Sequence, residues 1–174
     1  GIVLVESLEE LGDVTEILVR CPALPGPGVG VVVESGALKA MLLDLAETTS
    51  LDLPALDATR SPLLREALPP FVPVTNPLDV TAQGLVDPGL YGRTLAALAK
   101  ETRIGTILLA LIQTETHTSH IKFSAVLGAL DQGLVDKPLI VCGVDEGGGV
   151  LAEDIAALRA RGVTYLPTPE RGLR

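Results

Sequence analysis

Residues 104–112 read Ile-Gly-Thr-Ile-Leu-Leu-Ala-Leu-Ile, a nearly continuous aliphatic run without a charged residue. Such a run is typical of a strand that is buried on both faces, as at the centre of a parallel sheet. Shorter aliphatic runs at 29–33, 139–144 and 163–166 predict further buried strands. The stretch at 104–112 therefore predicts the middle of a sheet, and the rest of the chain is interpreted around it.

Segments with helical periodicity lie between these strands. Leu38, Met41, Leu42 and Leu45 recur at helical spacing and give the segment 37–47 one apolar face. Further helices are predicted at 59–68, 87–101, 119–130 and 150–161. Strands that alternate with helices of this length are joined by parallel crossovers. The sequence thus predicts an α/β three-layer sandwich with a mostly parallel sheet, and about five strands favour a flavodoxin-like order.

The first part of the chain is predicted to be an arm. Residues 2–5 form a short apolar run that predicts a strand, and Ser7 precedes Glu10 by three residues, which predicts a capped helix over 8–19. Residues 21–28 contain three Pro and two Gly and are typical of a linker. We therefore expect an arm and linker at 1–27 and one domain at 28–174. Because the chain lacks a starting Met and ends where a helix begins, we expect it to be a piece of a longer polypeptide.

Composition excludes several classes of function. The chain of 174 residues has a net charge of −9, two Phe, two Tyr and no Trp. It therefore lacks both the basic surface that neutralises nucleic-acid phosphates and the aromatic side chains on which bases stack. The apolar runs are too short to cross a membrane, and no signal sequence is evident. Two cysteines, Cys21 and Cys142, are typical of buried thiols in a reduced, cytoplasmic protein.

Two strand-to-helix turns carry candidate binding residues. Ser35 and Gly36 follow the strand at 29–33, where the N–H groups of a helix N-terminus favour an anion, although a plain N-cap explains them as well. After the strand at 104–112, the candidates are hydroxyl, amide and imidazole side chains that could hold a phosphate. These are Gln113, Thr114, His117 and Thr118. The alternative for this second turn is a solvated, capped loop.

Neither turn predicts a catalytic residue or a metal site. His117 and His120 are three residues apart with Glu115 nearby, but no fourth ligand of matching type is evident. The pair Ser119 and His120 lacks an Asp-bearing motif for a nucleophile triad. We therefore predict no metal ligand and no catalytic residue in this chain.

The turn Asn76-Pro77-Leu78-Asp79-Val80-Thr81 follows a predicted extended segment at 71–74. Pro77 forces Asn76 out of the helical region, and Asp79 can bond local backbone. A structural turn explains Asn76 and Pro77 well, whereas it explains Asp79 and Thr81 less well. Asn76, Asp79 and Thr81 are therefore candidate site residues, with the structural alternative equally open.

This turn also carries a resemblance to a known family. Leu68-Pro69-Pro70 followed by the stretch from Asn76 to Thr81 is similar to an "LPP…NPxDxT" pattern of the NDP-forming acyl-CoA synthetases, relatives of succinyl-CoA synthetase that include the ADP-forming acetate–CoA ligases. The order of elements along nearly the whole chain resembles the second flavodoxin-like domain of these enzymes. The arm resembles the tail of the domain that precedes it.

The resemblance implies a domain of an acid–thiol ligase that is inactive alone and that binds no cofactor by itself. The family makes acyl-CoA through an acyl phosphate and a phosphorylated His in the preceding domain, and helix N-termini of paired domains hold that His. The candidates listed above would help to form this phosphohistidine site or contact a neighbouring domain. CoA and ATP or GTP with Mg are implied for the full enzyme. The implied partners are CoA-binding and ATP-grasp domains or subunits, in a possible oligomer.

Two other functions remain open at this point. One is a regulatory, ligase-like domain of a protein acetyltransferase, which would be followed by an acetyltransferase sequence instead of an ATP-grasp sequence. The other is an interaction module that binds no small molecule.

Overall fold

The computed structural model of the protein describes residues 2–21, 26–144 and 148–174. Within them, five strands form one sheet in the order β2-β1-β3-β4-β5, and every neighbouring pair is parallel. The strands are β1 (Val29–Val33), β2 (Leu78–Asp79), β3 (Thr106–Leu111), β4 (Leu139–Gly143) and β5 (Thr164–Leu166). The predicted aliphatic run at 104–112 supplies β3, the central strand. The flavodoxin-like order is confirmed.

Helices connect these strands and cover both faces of the sheet. They are α1 (Leu8–Arg20), α2 (Gly36–Thr49), α3 (Pro62–Ala67), α4 (Gln83–Val86), α5 (Gly89–Ala99), α6 (Thr116–Asp131), α7 (Ala152–Ala160) and α8 (Pro169–Leu173). The helices predicted in the segments 8–19, 37–47, 59–68, 87–101, 119–130 and 150–161 are confirmed, with ends shifted by a few residues. The four-residue helix α4 was not predicted.

The central strand alternates between two cores, one on each face of the sheet. Ile107 and Leu109 point into the core that contains α5 and α6, whereas Leu108 and Ala110 point into the core beneath α2 and α8. Successive side chains of a strand face opposite sides, so the aliphatic run over residues 107–111 is stable only when both sides are covered. This pattern confirms the three-layer sandwich.

The two cysteines lie in the interior and are not paired. Cys142 in β4 is fully buried, and Cys21 after α1 is also buried. Burial raises the pKa of both thiols, most strongly that of Cys142. The prediction that Cys142 is a core thiol is confirmed. No helix in the described part of the chain is long and apolar enough to cross a bilayer.

One predicted strand is wrong, and a predicted extended segment joins no strand. Residues 2–5 form no strand, and the segment 71–74, which was predicted to be extended, joins no ladder. Pro73 cannot donate to a ladder, and the side chain of Arg65 instead donates hydrogen bonds to the carbonyl oxygens of Leu68, Pro69 and Val72. One edge strand of the sheet is β2, which begins inside the turn that was predicted to follow the extended segment.

Asn76 pairs with β1 through its side chain in place of backbone. Its Oδ1 accepts a hydrogen bond from Val31 N at 2.9 Å, and its Nδ2 donates to Val29 O at 2.7 Å and to Pro54 O at 3.1 Å. The peptide bond from Asn76 to Pro77 is cis. The backbone ladder to β1 starts only two residues later, at Leu78. The Asn76 amide therefore satisfies the part of the β1 edge that the short strand β2 does not reach.

Replacing Asn76 by Ala should destabilise the fold, because one backbone N–H and two carbonyl groups lose their partner. We expect the free energy of unfolding to fall by about 1–3 kcal/mol, the usual cost of unpaired buried polar groups. Urea unfolding followed by circular dichroism measures this change. Gln132→Ala at the exposed end of α6 is the control and should stay within about 0.5 kcal/mol of the parent. Equal stability of the two variants would contradict the pairing role of Asn76.

Helix α1 packs on the domain through charged contacts. Asp13 is buried and accepts hydrogen bonds from Arg171 at 2.5 and 2.7 Å, and Glu16 accepts one from Arg159 at 2.8 Å. Ile17 is the α1 side chain that contacts the core beneath α2. The opposite side of α1 exposes aliphatic side chains to solvent, which are Leu8, Leu11, Leu18 and Val19. The predicted capping by Ser7 is confirmed, because its Oγ accepts a hydrogen bond from Glu10 N at 3.0 Å.

Candidate functional site at the carboxyl edge of the sheet

The parallel strands bring their carboxyl ends to one edge of the sheet. There the chain leaves β1 into α2 on one face and leaves β3 into α6 on the other. Because β1 and β3 are neighbours, the loops diverge between them and form a crevice, the usual ligand position in open α/β sheets. We call this place the switch crevice, defined by the chain after Val33 and the chain after Leu111.

The side chain of Glu34 occupies the switch crevice. Its Oε2 accepts hydrogen bonds from Ile112 N at 2.6 Å and from Lys122 Nζ at 2.9 Å. Its Oε1 accepts a hydrogen bond from the hydroxyl of Tyr91. Glu34 is 7% exposed, Lys122 is 4% exposed and Tyr91 is fully buried. A buried ion pair with further hydrogen bonds therefore closes the crevice from within.

The N-terminus of α2 lies beside this ion pair and is open to solvent. Ser35 is the N-cap, but its side chain makes no capping hydrogen bond, and Gly36 and Ala37 are exposed. The carboxylate of Asp79, at the end of β2, reaches within 3.5 Å of the point where a Cβ on Gly36 would lie. Thr81 has a positive φ of 56° and donates its N–H to Asp79 Oδ1 at 2.8 Å. Ser35, Gly36, Asp79 and Thr81 thus form one group.

The N-terminus of α6 is closed by its own cap. The carboxylate of Glu115 accepts hydrogen bonds from Thr118 N at 2.6 Å and His117 N at 3.1 Å. The hydroxyl and N–H of Thr118, together with the N–H of His117, lower the pKa of Glu115. The N–H groups that a phosphate would need are therefore already bonded to a carboxylate. This arrangement is the capped loop that the sequence left open as the alternative.

Replacing Glu115 by Gln should remove a pH-dependent part of the stability. A carboxyl whose pKa is lowered in the folded state stabilises the fold above its unfolded pKa, and this contribution is lost as pH falls through the lowered folded value. We expect the parent to exceed Glu115→Gln in urea midpoint at pH 7. The difference should shrink as the solution becomes more acidic than the ordinary range of glutamate. A difference that stays constant at pH values well below that range would contradict the capping role.

Gln113 is buried between the ends of β3, β4 and β5. Its Oε1 accepts a hydrogen bond from the hydroxyl of Tyr165 at 2.9 Å, and its backbone carbonyl accepts one from Gly149 N at 2.8 Å. Its Nε2 has no hydrogen-bond partner among the described residues. Thr114 is the next residue and is exposed. The two neighbours therefore differ, because Gln113 supports the edge from inside whereas Thr114 faces solvent.

His120 is paired with a carboxylate that the sequence did not indicate. Its Nδ1 lies 2.9 and 3.0 Å from the two carboxylate oxygens of Asp154, in the first turn of α7. The Asp154 side chain is 5% exposed, whereas that of His120 is 49% exposed. An ionised carboxylate only accepts, so Nδ1 carries the proton. The buried Ser119 donates its hydroxyl to Glu115 O at 2.8 Å, so the arrangement is a His–Asp pair without a serine nucleophile.

The predicted candidates divide into three groups. Ser35, Gly36, Asp79 and Thr81 surround the open turn at α2, whereas Gln113, Thr114, His117 and Thr118 follow β3 along the same edge. Asn76 precedes β2 and pairs with the first half of β1, so it lies away from the carboxyl edge of the sheet. The described parts of the chain contain no group of three His, Cys, Asp or Glu side chains that could hold a metal ion.

Sequence reasoning missed the residues that fill the switch crevice. Lys122 lies 88 residues from Glu34, and Tyr91 lies 57 residues from it. The one available signal was a lysine next to Phe123 on the inward face of α6, since a buried lysine needs an acidic partner. Asp154 gave no such signal, because an acidic residue in the first turn of a helix is ordinary.

The fold and its edge define a class: a parallel α/β domain of flavodoxin-like order, with polar turns gathered at a switch crevice. Two curated relatives match the chain over its whole length. Trans-feruloyl-CoA synthase FCS1 of an unknown prokaryotic organism is 47% identical over 174 residues, which are 25% of that protein. Subunit alpha of the ADP-forming acetate–CoA ligase I of Pyrococcus furiosus is 25% identical over 175 residues, or 37% of its length.

Solved structures show the same fold. The dinucleotide forming acetyl-coenzyme A synthetase 1 of Ca. Korarchaeum cryptofilum in its apo form matches 99% of this chain with a TM-score of 0.80 at 22% identity, over 37% of that chain. The same enzyme in complex with phosphate and ADP matches with a TM-score of 0.79. A Pyrococcus horikoshii OT3 protein gives 0.80 at 18% identity, over 39% of its chain.

The chain is therefore homologous to one part of the trans-feruloyl-CoA synthase and of the ADP-forming acetate–CoA ligase subunit. It spans a quarter to about two-fifths of the length of the proteins it matches. No protein-family model matches it.

Proposed function

We propose that this chain is a non-catalytic domain of an NDP-forming acyl-CoA synthetase, an acid–thiol ligase. The observation that carries the proposal is the 47% identity to trans-feruloyl-CoA synthase along all 174 residues. The full enzyme would use CoA and ATP or GTP with Mg, bound by neighbouring CoA-binding and ATP-grasp domains. A cytoplasmic location is part of the same proposal.

Within such an enzyme, the proposed role of this domain is to build one wall of a phosphohistidine site at the N-terminus of α2. The first N–H groups of a helix have no carbonyl partner within the helix, and they attract an anion. At α2 these groups are exposed beside an unbonded Ser35 side chain, whereas the N-terminus of α6 is closed by Glu115. An exposed helix N-terminus contributes roughly 0.3–1 kcal/mol to holding a charge, enough to bias a resting position.

Asp79 gives this turn a second property that suits a phosphohistidine. The imidazole ring that carries a phosphate on one nitrogen has an N–H on the other, and this N–H needs an acceptor. The Asp79 carboxylate lies beside Gly36 and keeps one oxygen, Oδ2, free of the Thr81 N–H that bonds Oδ1. A set of N–H donors next to one carboxylate therefore matches a phosphorylated imidazole better than a free phosphate.

A charge placed in the first turn of α2 tests this role in the full-length polypeptide. Ala37→Glu brings a carboxylate to the position proposed for the phosphate. We expect kcat/KM for acyl-CoA formation to fall about tenfold, which corresponds to about 1.4 kcal/mol. Ala37→Gln has nearly the same shape without the charge and should keep turnover within about twofold, or roughly 0.4 kcal/mol.

Two readouts separate the possible outcomes of this experiment. Neither variant should unfold at a lower temperature than the parent, because Ala37 is exposed and a carboxylate in the first turn of a helix is favourable. Equal turnover of Ala37→Glu and Ala37→Gln would remove the assignment to α2. A parent polypeptide that forms no acyl-CoA from any acid, CoA and nucleoside triphosphate would remove the ligase proposal itself.

The arm at 1–27 is proposed to join this domain to the rest of the polypeptide. An ordinary surface helix buries its apolar face and exposes its charged face, whereas α1 does the reverse. Leu8 is 87% exposed and Val19 is 68% exposed. Relatives extend well beyond the part matched by this chain, so a neighbouring domain is the occupant proposed for this apolar side.

The double variant Leu8→Ser, Leu11→Ser tests the docking of α1. In the 174-residue chain, the free energy of unfolding should change by no more than about 0.5 kcal/mol, because both side chains are exposed. In the full-length polypeptide the same variant should lower the unfolding midpoint or increase proteolysis between domains. Ile17→Ser is the matched control and should destabilise both forms. No difference between the two contexts would contradict the proposal.

A further inference from the structure

The groups around the Glu34 carboxylate form a site that is complete without Glu34 itself. They are an ammonium, a backbone N–H and a phenol hydroxyl, contributed by Lys122 on α6, Ile112 after β3 and Tyr91 on α5. Proteins bind free carboxylates and phosphates with donor sets of this kind. The three donors come from three elements and converge on a position next to an exposed turn.

The donors are held in place by contacts other than those with Glu34. Lys122 Nζ also donates to Ile112 O at 2.7 Å, so the ammonium stays at the end of β3. The ring of Tyr91 is covered by α4, where a Cβ on Gly84 would lie 2.2 Å from the Tyr91 hydroxyl oxygen. Burial and the nearby Glu34 charge raise the pKa of Tyr91, so its hydroxyl keeps its proton at neutral pH. The three donors are therefore held in position without the help of Glu34.

We propose that the switch crevice is an anion site that the protein fills with its own Glu34 carboxylate, and that removing this side chain opens a site for a small carboxylate. Glu34→Ala deletes the Cγ methylene and the carboxylate, which together have the heavy atoms of acetate. Acetate is therefore the matched ligand. In the native protein the crevice excludes soluble anions because its donors are already bonded.

The experiment measures the thermal unfolding of Glu34→Ala at neutral pH in sodium acetate and in sodium chloride of equal ionic strength. We expect a midpoint well below the parent in chloride, since Lys122 is left buried without a counter-charge. Acetate should raise this midpoint along a saturating curve, because the unfolding constant falls by the factor 1 + [acetate]/Kd. At acetate equal to about 100 times Kd, the unfolding constant should fall about 100-fold.

Three further proteins make the result specific. The parent and Glu34→Gln keep a long side chain in the switch crevice. Acetate should therefore raise their unfolding midpoints no more than chloride does. The double variant Glu34→Ala, Lys122→Met removes the ammonium and should lose most of the acetate response. An acetate response of equal size in the double variant, or no response in Glu34→Ala, would overturn the proposal.

If Glu34→Ala is unfolded in chloride, refolding becomes the measurement. Recovery of the native far-ultraviolet circular dichroism in acetate but not in chloride would support the anion site. An unfolded chain in both salts would overturn it. The test uses neither CoA nor nucleotide, so its failure would leave the ligase proposal unaffected.

Discussion

The parallel ladder between β1 and β3 is the contact on which the rest of the molecule depends. It joins the central aliphatic strand to a neighbour whose chain leaves on the opposite face of the sheet. Because the connecting helices cover different faces, the carboxyl ends of these two strands cannot be bridged by a common loop. The crevice between them, the open turn at α2 and the capped turn at α6 all follow from this single adjacency.

Carboxylates of the protein occupy much of this edge. Glu34 takes the crevice, Glu115 takes the N-terminus of α6, and Asp79 lies beside the N-terminus of α2. Each of these places has donors that would otherwise attract a soluble anion. Part of the acidic composition thus lies at the carboxyl edge of the sheet, which is the usual ligand position in open α/β sheets. This leaves one partly open turn and agrees with a domain that assists a site instead of holding the complete site.

The fold could be predicted because its signals are local. The run at 104–112 and the helical spacing within 37–47 each decide their own structure, and their alternation decides the topology. The strand β2 was missed because two residues are too few for a periodic pattern, and because the segment before it carries prolines. Asn76 was identified as unusual, but its role depends on the edge of a strand 45 residues away. The pairs Glu34 with Lys122 and His120 with Asp154 likewise form only when the helices pack on the sheet. No spacing in the sequence predicts them.

The way the two sheet edges are finished has a consequence for behaviour at high concentration. An exposed edge strand offers a row of unpaired backbone groups on which another chain can add, which is the usual route to fibrous aggregates. Here β2 is only two residues long, and beyond it the outer partner of β1 is the amide of Asn76, which has no further row of backbone groups to offer. At the other edge α1 lies against β5, where Thr164 Oγ1 reaches Glu16 O at 3.5 Å. Both edges of the sheet therefore offer a second chain few unpaired backbone groups to which it could add a strand.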